Sequence, residues 1–141
     1  CDFVVVNSAG CGVELKSYES NDIEYIDIIE FLSKIDFKTQ KRFNEKVIWD
    51  APCHLSHAQK IYSEPIELFE KLGINPIQWS GQDLCCGGAG NYTLNHPNES
   101  DAILNLKYEQ LVKYEFEYLV TANPGCYLQL EKGRQIHGRK L

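Results

Sequence analysis

Apolar residues along this chain come in short runs, separated by turn residues and by stretches with a helical period. Phe3-Val4-Val5-Val6-Asn7 reads as a buried strand, with a turn at Ser8-Ala9-Gly10-Cys11. From Ile23 to Ile35 the apolar positions are 23, 26, 28, 29, 31, 32 and 35. That spacing predicts an amphipathic helix capped by Asn21 or Asp22. Phe37 to Lys46 is polar and reads as a connector. Val47-Ile48-Trp49 is a second strand, ended by Asp50-Ala51-Pro52-Cys53. A turn or two of helix follows, with Ala58, Ile61 and Tyr62 on one side. Ser63 then caps a helix that runs to Leu72, holds Pro65 in its first turn and stops at Gly73. Ile74 to Trp79 reads as a third strand. Pro97 to Asp101 opens a helix whose buried face is Leu104, Tyr108 and Leu111. Tyr118 to Thr121 is a fourth strand, and Asn123 to Cys126 turns into a short last helix around Tyr127 to Leu130. Tyr108, Tyr114 and Tyr118 are expected to pack in the core.

Strands alternating with helices predict an α/β fold, a parallel sheet flanked by helices. Cys11, Cys53, Cys85-Cys86 and Cys126 each follow a predicted strand. Parallel strands share a carboxyl edge, where open α/β sheets bind ligands, so these thiols can converge there. The chain also repeats itself. Residues 3 to 11 align with residues 118 to 126 at an offset of 115 positions. This predicts two pseudo-repeated halves: residues 1–35 finish the first, 36–45 connect, and 46–141 form the second.

Composition narrows the class. The chain has 141 residues, enough for one domain, and 43% are hydrophobic, enough for a core. It has no methionine and opens at Cys1, so part of a longer protein is expected. No run of about 18 apolar residues could span a membrane. The net charge is −6, and only the tail from Lys132 to Lys140 is basic, which argues against nucleic acid as a partner. Six cysteines without a secretory signature point to a reducing, cytoplasmic setting and to metal or redox use.

The chemistry concentrates at Cys85-Cys86-Gly87-Gly88. Neighbouring cysteines make a poor disulfide with each other, but two adjacent thiolates suit a soft metal site. Between Cys53 and Cys85 lie 31 residues, and between Cys86 and Cys126 lie 39. Cys53, Cys85, Cys86 and Cys126 are therefore the candidate ligands of zinc or of an iron–sulfur cluster, with Cys11 a further candidate. Cys1 begins a strand and is expected in the core. His54 and His57 flank Cys53 and are expected at the surface or beside a ligand. Gly87 to Gly90 lacks the Lys-Ser/Thr end of a phosphate loop.

These residues resemble the cysteine-rich CCG domain of the heterodisulfide reductases. The resemblance is nearer still to the iron–sulfur subunit of glycolate oxidase (glycolate dehydrogenase). It is carried by Ala9-Gly10-Cys11-Gly12, Pro52-Cys53-His54 with Gln59-Lys60, Leu84-Cys85-Cys86-Gly87, and Asn123-Pro124-Gly125-Cys126 with Gln129-Leu130. The resemblance implies an electron-transfer subunit holding a [4Fe–4S] cluster, with zinc as the alternative cofactor. Its partners would be flavoprotein subunits that oxidise glycolate to glyoxylate. Electrons would pass to a quinone-type acceptor, placing the protein in the cytoplasm or peripherally at the inner membrane face. Such a subunit is not catalytic alone. One departure stands out: Asn123 and Ser8 occupy positions where the family pattern has the first cysteine of Cys-x-x-Cys. That weakens the alternative of a heterodisulfide-type thiol/disulfide redox subunit. A structural zinc-binding interaction domain is the other alternative.

Overall fold

A computed structural model describes residues 2–18, 23–37, 39 and 43–138. The chain divides into two compact units: Cys1–Asn44 with Cys53–Asn75, and Glu45–Pro52 with Pro76–Leu141.

The first unit opens with a β–α–β element: strand β1 (Phe3–Val6), helix α1 (Ala9–Ser17) and strand β2 (Glu24–Asp27). The strands pair in parallel, Phe3 against Glu24 through Val6 against Asp27. The turn expected at residues 8–11 is thus confined to Asn7 and Ser8, and Cys11 already lies in a helix. The amphipathic helix expected over 23–35 is also divided. Its first part is β2, and only α2 (Ile28–Lys34) is helical. Pairing with β1 outweighs the helical period there, and Ile26 is buried. The cap is Asp27, whose carboxylate accepts from Ile29 N–H at 2.9 Å. Asn21 and Asp22 lie outside the described residues, as does Cys1. The unit resumes with a π-helical turn (His54–Ala58) and helix α3 (Glu64–Lys71), with Pro65 in its first turn and Gly73 beyond its end at φ 67°. Helix α2 packs against α3. Lys71 Nζ donates to the carbonyls of Ser33 and Ile35, closing the end of α2.

The second unit is built on strands β3 (Val47–Asp50) and β4 (Tyr118–Thr121), paired in parallel from Val47 with Tyr118 to Asp50 with Thr121. All four residues of β3 are buried, as expected of a parallel strand covered on both faces. The third strand shrinks to a single parallel bridge, Ile77 to Ile48, with Ile77 N–H on Val47 O at 2.7 Å. Pro76 brings no N–H donor to extend it. Helices α4 (Tyr92–Asn95), α5 (Pro97–Leu111) and α6 (Pro124–Ile136) complete the unit. The last helix is longer than its apolar pattern suggests: Pro124 starts it a turn earlier, and it continues past Leu130 to Ile136. Ile48, Trp79, Leu104, Tyr108, Leu111 and Leu130 form the core, with Tyr114 partly buried against it. Tyr108 donates to the Leu130 carbonyl, and Trp79 Nε1 to the Trp49 carbonyl at 2.8 Å. Tyr118, expected inside, is half exposed, because β4 is an edge strand. The architecture is mixed α/β, with short parallel sheets flanked by helices.

Candidate metal centre

Strand, extended cap and helix recur twice around a cysteine. Ser8 has φ −164° and ψ 110°, and Asn123 has φ −142° and ψ 121°. Gly12 N–H bonds Ser8 O at 2.8 Å, and Tyr127 N–H bonds Asn123 O at 2.9 Å. Cys11 and Cys126 are each the third residue of the helix that follows. The internal repeat is therefore a repeat of local geometry as well as of letters.

In the second unit the double cysteine meets that device. Cys86 Sγ lies 3.0 Å from Cys126 Sγ, and both residues are 4% exposed. Backbone and side-chain donors point at the sulfurs. Gly87 N–H approaches Cys85 Sγ at 3.3 Å, Gly88 N–H approaches Cys86 Sγ at 3.4 Å, and Asn123 Nδ2 approaches Cys126 Sγ at 3.5 Å. Such donors stabilise sulfur that carries negative charge. Cys85 is the more exposed of the pair.

The loop is held by close backbone approach. Gly87 has φ +80°, and a Cβ there would sit 2.6 Å from Ser100 O. A Cβ on Gly88 would meet Gly125 O at 2.7 Å. Side chains can exist at neither place without moving α5 or α6. Ser100 Oγ donates to Gly87 O at 2.9 Å and accepts from Gln129 Nε2 at 2.8 Å. This fully buried link ties the cysteine loop to both helices.

As neutral thiols, Cys85 and Cys86 resist ionisation. Cys85 is raised well above the ordinary thiol range, chiefly by its bond to Cys86 and then by burial. Cys86 is pushed up to about 12, chiefly by its bond to Cys126. A bound cation reverses that logic, since a coordinating thiol is deprotonated outright. The donor set fits a soft metal or cluster: three sulfurs in one unit, each met by an N–H, on short glycine-rich backbone. As placed, no group of three or more His, Cys, Asp or Glu side chains among the described residues is gathered to hold a single metal ion.

A buried charge pair lies behind the loop. Lys107 and Asp50 form an ion pair with both side chains 1% exposed. Lys107 also donates to Leu84 O, and its Nζ lies 5.5 Å from the centre of the Trp79 ring. Thr121 Oγ1 donates to Asp50 Oδ2 at 3.2 Å, joining the ends of β3 and β4. Burial pushes the Asp50 carboxyl up, while Lys107 and Thr121 pull it back.

Cys53 and Cys11 belong to the first unit. Cys53 precedes the π-helical turn, a form that often marks functional sites. His54 Nδ1 lies 3.6 Å from Cys53 Sγ, so this histidine sits beside the candidate ligand, while His57 is exposed. Gln59 ends the turn and donates to Ala9 O at 3.0 Å, with Asp27 Oδ2 at 3.5 Å. Lys60 follows in the left-handed region at φ 60°. Cys11 is exposed on α1, which packs against the π-helical turn.

The matched segment is residues 47–131, and the family it matches is the cysteine-rich domain CCG. The chain belongs to the CCG family. This CCG chain is 33% identical to an uncharacterized iron–sulfur protein of Methanococcus maripaludis, covering 99% of this chain and 29% of the relative. It is 31% identical to the glycolate oxidase iron–sulfur subunit of Escherichia coli, covering 90% of this chain and 35% of that one. It is 29% identical to one subunit of the CoM/CoB fumarate reductase of Methanothermobacter marburgensis, covering 97% of this chain and 29% of that one. The chain thus spans about a third of the length of these three relatives. No helix among the described residues is long and apolar enough to cross a membrane. Sequence reasoning missed Asp50, Lys107 and Ser100 in this CCG domain. A lone lysine on a helix reads as solvated, and only the fold brings residues 50 and 107 together.

Proposed function

We propose that this chain is the cluster-bearing CCG part of an electron-transfer subunit of glycolate oxidase type. Cys53, Cys85, Cys86 and Cys126 are the ligands of a [4Fe–4S] cluster, with Gly87 shaping the loop and Asn123 bonding a ligand sulfur. The observation that carries the reading is the sulfur–sulfur approach of Cys86 and Cys126 within a set of N–H donors. The names of the M. maripaludis and E. coli relatives support iron–sulfur over zinc. When bound, the cluster supplies one-electron transfer. This chain's own residues bind it, exclude water at Cys86 and Cys126, and direct N–H dipoles at the sulfurs.

Residues 1–35 finish a first half whose Cys11 serves a separate site, 36–45 connect, and 46–141 form the second half. The matched geometry at Ser8 and Asn123 supports that division. Flavoprotein partner subunits oxidise glycolate and pass electrons through this subunit toward a quinone-type acceptor. Any membrane association is peripheral and runs through those partners. The test is to purify the full-length parent anaerobically with its partner subunits, measure iron and acid-labile sulfide, and assay glycolate, lactate and disulfide substrates. Visible cluster absorption with glycolate-dependent dye reduction is expected. Zinc in place of iron would overturn the cofactor. Turnover of a disulfide alone would favour the reading suggested by the CoM/CoB relative.

A further inference from the structure

The pair of Lys107 and Asp50 is not needed to ligate anything, yet both ions are fully buried. Replacing a buried ion pair by apolar side chains of like volume is often neutral or stabilising, so stability is a weak reason to keep one. Its orientation offers a better reason. The cationic end lies on the carbonyl of Leu84, one peptide bond from Cys85. The anionic end lies at the carboxyl ends of β3 and β4, where Thr121 donates to it. The pair is therefore a fixed dipole inside the protein, with its positive end toward the double cysteine.

Thiolates that hold a cluster are negative, and reduction adds further negative charge. A buried cation close by favours the reduced form, and burial keeps the attraction from being screened. Resting on the iron–sulfur reading above, we propose that Lys107 is a positioning residue that also tunes charge. It fixes the Cys85 loop through Leu84 and raises the reduction potential of the group held by Cys85 and Cys86. Asp50 is the opposing half of that dipole.

The test uses the full-length parent, loaded and purified anaerobically, with iron and labile sulfide measured before any titration. Redox titration followed by electron paramagnetic resonance then compares Lys107→Met, Asp50→Asn and the double variant Asp50→Asn/Lys107→Gln with wild type. Lys107→Met is expected to shift the potential to more negative values, and Asp50→Asn to more positive ones. Opposite signs are a signature that a merely structural role would not produce. Should a single variant fail to fold, the double variant leaves neither ion buried alone, and its potential must still fall below that of wild type. Unshifted potentials, or shifts of one sign in both single variants, would overturn the tuning role while leaving the iron–sulfur reading intact. Loss of folding in all three assigns the pair to stability and likewise overturns it. A wild-type parent without iron overturns the earlier reading and this inference with it.

Discussion

Cys86 and Cys126 meet sulfur to sulfur at 3.0 Å, although they stand 40 positions apart in the chain. Two separate devices bring them there. The extended Asn123 turns β4 into α6 and sets Cys126 in its first turn. The backbone approach of Gly88 to Gly125, and the Ser100 bridge from Gly87 to Gln129, set Cys86 against it. Both devices belong to the second unit and join segments that are far apart in the chain.

Replacing a ligand should empty the centre. Cys85→Ser, Cys86→Ser and Cys126→Ser are each expected to lose most of the iron of the second half and to lower the melting temperature, because metal binding is coupled to folding. Cys53→Ser should do the same. Cys11→Ser should leave that iron in place, since Cys11 is assigned to the other half. Iron and labile sulfide per chain measure all five, and full iron in Cys85→Ser would defeat the ligand assignment.

Backbone approach at the loop gives a prediction that needs no metal. Gly88→Ala would drive a methyl to 2.7 Å from the Gly125 carbonyl, so the loop or α6 must move. A cost of about 1–3 kcal/mol is expected, in the range of overpacking and backbone strain. Gly90→Ala, with open space around its Cβ but φ +48°, should cost less, about 1 kcal/mol. Urea unfolding of the metal-free chain measures both, and equal costs would show that the approach to Gly125 does not constrain the loop.

Local signals are strong where one segment decides its own fate. β1, β3, β4, α3 and α5 follow from short apolar runs, from Pro65 and Gly73, and from the spacing of Leu104, Tyr108 and Leu111. Two details of that reading differ: β1, expected to be buried, is exposed at Phe3, Val4 and Val5, and Ser63 precedes α3 without a side-chain capping bond. The cysteines stand out because a double thiol before two glycines has little other use. What the pattern does not show depends on partners distant in sequence. Glu24 to Asp27 carries a helical period yet becomes a strand, since β1 offers unpaired backbone beside it. Lys107 looks like a solvated residue until Asp50, 57 positions earlier in the chain, is folded onto it. Ile74 to Trp79 contains a strand-like run, but Pro76 limits it to one bridge.

Acid should remove one small contribution from the first unit. Burial alone would raise the Glu30 carboxyl, but hydrogen bonds from Lys34 and Lys16 outweigh it and hold it below the usual range. Lys16 on α1 and Lys34 on α2 lie 2.9 and 2.8 Å from its two oxygens. A depressed carboxyl adds stability that is present above its unfolded value, about 4.3, and is lost as the pH falls through the lower folded value. Lys34 is largely exposed, so the whole contribution should stay below about 1 kcal/mol. Glu30→Gln should therefore be less stable than wild type near neutral pH and equal to it in acid. Paired urea titrations across that range check the sign, and a gap that widens in acid would refute it.

Asn123 offers the finest test of the centre, because it stands where the resembling reductases carry a thiolate. Its Nδ2 approaches Cys126 Sγ at 3.5 Å, so it is placed to donate to the sulfur of a proposed ligand. Hydrogen bonds to cluster sulfurs withdraw charge and raise the reduction potential. Asn123→Ala removes that donor without touching a ligand. The variant should keep its iron and shift to a more negative potential. Asn123→Asp keeps the shape but presents an acceptor to the sulfur, so its shift should be larger in the same direction. Both are read by redox titration of the loaded parent, alongside iron content. If Asn123→Ala loses iron as fully as Cys126→Ser does, the side chain is holding the cofactor directly and its role as a donor is wrong. If both variants titrate with wild type, the bond to Cys126 contributes nothing to the potential. A negative shift in the neutral Asn123→Ala variant, at full iron, is the result that marks a hydrogen bond rather than a packing contact, and the larger shift of Asn123→Asp adds the effect of its charge.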